Sequence, residues 1–304
     1  MNFGMLLFLY FLVLGPLLSV SSSSWLLCWS GLELGFFSLM PLLMSNNFSI
    51  SKEVVLKYFS IQAFSSVLLF FSGMMIFSFF SDYMIYIFIF LLSLMLKLGG
   101  FPGHFWVPGV VSGLDWFSCC LILGPLKVAP FALLISFLSN FSNYQLIVLI
   151  LGGLSVIFGA ILGNNQTKIR AMIGASSISH TGWMMNACMF SQMWSYFLIY
   201  FTILVGFLLV MMKYDYLTSS LFLLSMSGLP PFAMFVAKMN IMFYLAQSNM
   251  WGFMFILIVG SIISLIFYLK FSYSLVLNIK NYKVWYLSSF MMMNFWGVLF
   301  LYLF

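Results

Sequence analysis

Apolar residues in this chain run on continuously for about 17 to 25 positions at a time, without the alternation of a half-buried strand or the polar stripe of an amphipathic helix. Runs of that length suit helices crossing a hydrocarbon layer. The pattern predicts helices near 4–20, 25–44, 54–79, 83–108, 117–138, 145–163, 171–190, 192–212, 219–247, 251–278 and 284–304, eleven in all. Several are longer than a perpendicular crossing needs, which fits either tilt or interruption.

Two interruptions can be read directly. Residues 94–105 spell L-M-L-K-L-G-G-F-P-G-H-F, with a lysine deep in an apolar run followed by two glycines and a proline. Gly99 and Gly100 weaken a helix, and Pro102 removes a backbone donor, so the helix should open there. A second stretch, L-S-M-S-G-L-P-P-F-A-M-F-V-A-K at 224–238, repeats the pattern with G-L-P in place of G-F-P. Each break falls in the fourth helix of a five-helix unit, giving repeats at 1–138 and 145–278 and one appended helix at 284–304. An odd number of helices per unit inserts the second repeat upside down relative to the first, an architecture shared by many ion transporters. The expected fold is thus one all-α polytopic membrane domain over residues 1–304, built on two inverted five-helix repeats with broken helices.

Charge supports the helix count. Lys52, Lys57, Lys168, Arg170, Lys213, Lys280 and Lys283 all follow an even-numbered span, so all lie on one face. By the positive-inside rule that face holds the N-terminus. Met1 to Val20 has no Lys or Arg before it and no small-residue cleavage site, and reads as the first span rather than a signal peptide. With 64% hydrophobic and 5% charged residues, the composition excludes a water-facing globule.

Composition also narrows the chemistry. Cys28, Cys119, Cys120 and Cys188 lie in apolar runs and lack C-x-x-C spacing, so they read as packing or lipid-facing side chains. Two histidines are too few for the several pairs usual in membrane cytochromes. The phosphate-binding glycine motifs are missing, so any redox cofactor belongs to partners.

What remains is a set of charges inside spans, each costing about 2.5 to 3.5 kcal/mol on insertion scales. Glu33, in W-S-G-L-E-L, is mid-span and cannot reach an interface; it either handles protons or completes a structural ion pair. Lys97 precedes the first break, Lys127 stands between Pro125 and Pro130, and Lys238 follows the second break. A lysine held away from water can release and regain a proton as arginine cannot, though a structural counter-ion is the alternative. Lys270 is near enough to a span end for its stem to reach the interface. His180 sits among Ser176, Ser177, Ser179 and Thr181, as a proton relay or a hydrogen-bonded packing residue. His104 is closer to an interface. Glu53, Asp82, Asp115 and Asp215, at span ends or in loops, read as solvated charges.

Seven motifs then carry a resemblance: W-S-G-L-E-L at 29–34, E-V-V-L-K-Y-F-S-I-Q-A at 53–63, K-L-G-G-F-P-G-H-F-W-V-P at 97–108, L-K-V-A-P at 126–130, N-Q-T-K-I-R at 165–170, S-S-I-S-H-T-G-W at 176–183 and G-L-P-P-F at 228–232 with Lys238 beyond it. In order and content the chain resembles the NADH-ubiquinone oxidoreductase chain 2 family, antiporter-like subunits of the membrane arm of mitochondrial complex I. The resemblance implies eleven spans, as in the short animal form, and a proton path carried by Glu33, Lys97, Lys127, Lys238 and His180. It implies no cofactor or metal in this chain, with FMN, iron–sulfur clusters, NADH and ubiquinone held by partner subunits. It further implies neighbours in the membrane arm, a surrounding bilayer in which cardiolipin is a candidate partner, no nucleic acid, and residence in the mitochondrial inner membrane with the N-terminus on the matrix side. One position departs: where the family commonly has Glu after H-F-W-V-P, this chain has Gly109. A cation/proton antiporter outside complex I, or a membrane scaffold without transport, are the rival readings.

Overall fold

The computed structural model describes residues 3–44, 49–79, 83–278 and 286–294, all of whose regular structure is helical. Seven helices among them are long and apolar enough to cross a membrane, and Met84–Leu98 and Tyr216–Ser227 are shorter apolar helices. The chain divides into two compact units, Met1–Ser142 and Asn143–Phe304.

The first unit holds α1 (Phe3–Ser21), α2 (Trp25–Met44), α3 (Ser49–Gly73) with a π turn at Met74–Ser78, α4 (Met84–Leu98), α5 (Trp106–Gly113), α6 (Trp116–Leu123) and α7 (Pro125–Asn140). α2 packs against α1 and α3, and α4 against α3 and α7. The second unit holds α8 (Gln145–Asn164), α9 (Ile169–Cys188), α10 (Met193–Met212), α11 (Tyr216–Ser227), α12 (Ala233–Gln247) and α13 (Trp251–Leu277), and residues 286–294 are helical as well. α9 is the heart of this unit, buried at every position from Ala171 to Cys188 and packed on α8, α10 and α13. The outer helices instead expose Leu, Phe, Ile and Met, as a hydrocarbon surround requires.

Serine is common in these helices because its hydroxyl can turn back onto its own backbone. Ser38 donates to the Gly35 carbonyl at 2.8 Å, Ser93 to Phe90 at 2.7 Å and Ser155 to Gly152 at 2.7 Å. Such bonds satisfy a polar group where water is absent.

Both expected breaks are present. α4 ends at Gly99, left-handed at φ 69°, and the Gly100 N–H closes the end by donating to the Met95 carbonyl at 2.9 Å. Residues 99–105 are turns, and the chain resumes as α5. α11 likewise ends at Gly228, φ 82°, before α12 begins at Ala233. Left-handed glycine is the usual way to stop a helix.

The span expected at 117–138 is present as Trp116–Asn140, with a break at Gly124 (φ −111°, ψ −94°) that puts Pro125 in the first turn of α7, where a missing N–H costs no helical hydrogen bond. Two expectations need revision. The stretch read as ending at 108 continues to Gly113. Asp215, expected to be solvated, is 4% exposed beneath the start of α11. Glu53 and Asp115 are exposed as read, whereas Asp82, Lys280, Lys283 and residues 295–304 of the appended helix lie outside the described residues.

Candidate functional site

In the first unit, the break at Gly99 leaves Lys97 in the last turn of α4, where the unpaired carbonyls of a helix end favour a cation. Glu33, halfway along α2, meets it there. Lys97 Nζ stands 3.0 Å from Glu33 Oε1, with both side chains under a tenth exposed. This pair lies away from the surface, whereas the Glu53–Lys57 pair is exposed. Two buried charges reduce each other's desolvation cost only at such range.

Lys127 occupies the first turn of α7, created by the break at Gly124, and is buried. A first turn carries the positive end of the helix dipole, so the backbone supports charge less well here than at Lys97. Both lysines line one cavity of about 30 Å³, whose wall includes Tyr58, Gln62, Phe36 and Trp106. The structure thus brings together three residues drawn from widely separated motifs.

In the second unit, Lys238 lies in α12 one turn past the break. Its Nζ donates to the Ser227 carbonyl at 2.7 Å, one of the carbonyls orphaned where α11 ends. The ammonium also lies 5.7 Å from the centre of the Trp183 ring. Gly228 lets it approach, because a Cβ there would stand 3.0 Å from Lys238 Nζ. Around Lys238, Ser227 and Ser261 is a cavity of about 130 Å³ whose rim includes the exposed Met239 and Ile262.

His180 is buried in α9, one turn from Trp183. Nδ1 is 2.9 Å from the Tyr196 hydroxyl and Nε2 is 3.1 Å from that of Tyr268. The Tyr200 ring lies against the imidazole at 4.8 Å, tilted by 40°, and Trp183 lies parallel to Tyr196. The neighbouring hydroxyls read as a polar stripe are turned onto their own helix: Ser176 donates to Ile173, Ser177 to Gly174, Ser179 to Ser176 and Thr181 to Ile178. The partners of His180 are therefore tyrosines of α10 and α13, which no local motif in α9 reveals.

His104 is buried within the first break, packed on Phe101 and Phe105. Lys270 is exposed on α13, 5.7 Å from the Phe271 ring. Cys28, Cys119 and Cys188 are buried as packing residues, with Cys120 half-buried. Sequence reasoning overlooked α3, whose buried face bears Tyr58, Gln62, Ser65, Ser66 and Ser72. Tyr58, Gln62 and Ser65 or Ser66 recur at intervals of three and four, and Ser72 follows Ser65 by seven, a helical spacing that was the available signal.

Comparison with known proteins shows the family and fold of the chain. The family described as NADH:quinone oxidoreductase/Mrp antiporter, TM, matches residues 22–215. NADH-ubiquinone oxidoreductase chain 2 of Albinaria caerulea is 36% identical over 286 residues, covering 93% of this chain and 93% of that one. The protein of the same name from Locusta migratoria is 33% identical over 306 residues, covering 93% and 88%. A chain in the structure of respiratory complex I from Thermus thermophilus with bound aureothin has a TM-score of 0.84 at 22% identity, covering 99% of this chain and 78% of that one. At that identity the likeness speaks for the fold.

Proposed function

The chain belongs to the NADH-ubiquinone oxidoreductase chain 2 family, and we propose that it moves protons across the membrane for that enzyme through Glu33, Lys97, Lys127, His180 and Lys238. The observation that carries this reading is the buried Glu33–Lys97 pair, 3.0 Å apart, beside a cavity that Lys127 shares. While the carboxylate stays close, it shields the Lys97 charge. When Glu33 withdraws, that charge is unshielded and disfavours a proton on Lys127, which passes it onward toward Lys238, with His180 as intermediate. NADH oxidation and ubiquinone reduction take place in partner subunits, which hold the FMN and iron–sulfur clusters.

In this reading the chain has eleven spans in two inverted five-helix repeats, 1–138 and 145–278, with 284–304 appended. The two lysine-bearing breaks and the one-sided basic residues support it. The N-terminus then faces the matrix, and the exposed apolar surfaces meet lipid, cardiolipin included, and other membrane-arm subunits. The shared family description also admits a cation/proton antiporter outside complex I; co-purification with flavin and iron–sulfur subunits discriminates, and identity to the chain 2 relatives favours the first.

The test is Lys127→Met in the assembled complex. Assembly and redox centres should be retained, with proton pumping and coupled NADH:ubiquinone turnover falling by an order of magnitude or more. Normal pumping by the assembled variant removes Lys127 from the path.

A further inference from the structure

A lysine ammonium only donates and a neutral lysine offers one lone pair, so a proton passes from Lys97 to Lys127 without their nitrogens meeting only if the space between them supplies a group that both accepts and donates. A cavity of about 30 Å³ borders both, above the roughly 10–15 Å³ that one water needs. A buried water also needs two to four polar partners. Apart from the lysines, Tyr58 and Gln62 are the polar side chains of this wall; the rest, such as Phe36 and Leu126, are apolar.

Both come from one face of α3, one turn apart, and both are held in place. The ring of Tyr58 packs against Trp106 at 5.6 Å and Phe36 at 5.9 Å, and Trp106 is itself tied by its indole N–H to the Leu96 carbonyl at 3.0 Å. Gln62 directs its amide nitrogen at the Lys97 carbonyl, 3.5 Å away, which ties α3 to the end of α4 and leaves its amide oxygen as an acceptor. Tyr58 is 3% exposed and Gln62 6%, so neither is a solvated side chain that happens to face inward.

We propose that Tyr58 and Gln62 are positioning residues that seat one water between Lys97 and Lys127, and that this water carries the proton that reloads Lys127. The inference rests on the proton path proposed above. The water accepts from the Lys97 ammonium and from the Tyr58 hydroxyl, and donates to the Gln62 amide oxygen and to the lone pair of neutral Lys127. After Lys127 has passed its proton on, an N–H bond of Lys97 breaks and its proton joins the water oxygen, while one of the water's own protons bonds to the Lys127 nitrogen. Lys97 is left as a neutral amine, Lys127 becomes an ammonium, and the water is regenerated. Lys97 regains a proton from the aqueous phase on the input side when the Glu33 carboxylate returns and again favours the ammonium form.

The test uses the intact complex carrying Tyr58→Phe, Gln62→Met and both together, beside Lys127→Met. Tyr58→Phe removes one oxygen and leaves the ring, so it keeps the experiment informative even where the double variant assembles poorly. Three readouts are taken: coupled proton pumping, its rate ratio in H2O and D2O, and density in the cavity of a high-resolution map of the parental and Tyr58→Phe complexes. Expected are water density in the parental cavity that is weakened or displaced in Tyr58→Phe, a pumping rate lowered about threefold to tenfold in each single variant, and an enlarged isotope ratio. Tyr58→Phe and Gln62→Met complexes that pump at the parental rate and isotope ratio, while Lys127→Met is impaired, overturn the water seat and leave the path standing. A dry parental cavity does the same. Normal pumping by Lys127→Met overturns the path and the inference with it.

Discussion

The two broken helices hold a lysine in different ways. At the first, Lys97 is the last turn of the helix before the break, and a carboxylate from α2 balances its charge at 3.0 Å. At the second, Lys238 follows the break and is seated on a backbone carbonyl, with the face of Trp183 beside it. A neutral amine still donates to a carbonyl, though less strongly than an ammonium, so the second seat keeps a hydrogen bond in either protonation state while favouring the charged one. The first is matched to a charged lysine and loses its match when the carboxylate leaves. The contrast suits a mobile pair at one station and a resting place for a proton at the other.

The largest expected effect breaks that contrast at its charged end. Glu33→Gln strands a buried cation, and removing one partner of a buried pair costs about 3–5 kcal/mol. Assembled complex should become scarce, and Glu33→Gln with Lys97→Met should restore assembly without restoring pumping. Lys238→Met, by comparison, loses a hydrogen bond and leaves the Ser227 carbonyl unpaired, a cost of about 1–3 kcal/mol. Native-gel abundance of the three variants measures the difference. Equal losses at Glu33 and Lys238 would mean that the two seats are energetically alike.

The helix-ending glycines sharpen the comparison at a middle magnitude. Alanine at either position adopts a left-handed conformation at about 1–2 kcal/mol. At Gly99 the new Cβ also runs into Val107 Cγ2, so Gly99→Ala should lower thermal stability further by forcing α5 aside. At Gly228 the nearest atoms belong to the flexible end of Lys238, at 3.0 Å, so Gly228→Ala should assemble better and pump worse. A thermal melt read against a pumping assay separates the two. Smaller again is Trp183→Leu: loss of the ring face should cost up to about 2 kcal/mol of preference for the protonated Lys238. The readout is the pH dependence of pumping, whose midpoint should shift while electron transfer by detergent-solubilised complex is unchanged.

The sequence made the breaks legible because Gly99, Pro102, Gly228 and Pro230 are residues whose backbone chemistry stops a helix whatever surrounds them. That Glu33 would meet a buried cation was legible for a related reason: buried opposite charges in an apolar chain have few ways to be stable, and meeting is one of them. Gly124 was not, since a single Gly-Pro step inside a strongly apolar run also fits a span that is kinked at proline without being broken. Burial of Asp215 and the tyrosine clamp on His180 were beyond reach, because both depend on which helices become neighbours. Polar residues of α3 fell between these cases. Their helical spacing was present, but serines that satisfy themselves on their own backbone look the same in sequence as residues that line a path.

The smallest expected effect concerns the stretch that follows the first break. Gly109 stands in the interior of α5, where the resemblance leads one to expect Glu. It is exposed, and a Cβ there would meet nothing within 4 Å. No turn, positive φ or close approach requires glycine at this position, while helix-interior glycine is less favourable than alanine by about 0.5–1 kcal/mol. Gly109→Ala should therefore raise the melting temperature of the complex slightly and leave pumping untouched. Gly99→Ala, only ten positions earlier on the same broken segment, should do the reverse. If Gly109→Ala instead lowered stability, a close neighbour from another subunit would have to occupy the space that this chain leaves open, and α5 would be identified as part of a subunit contact.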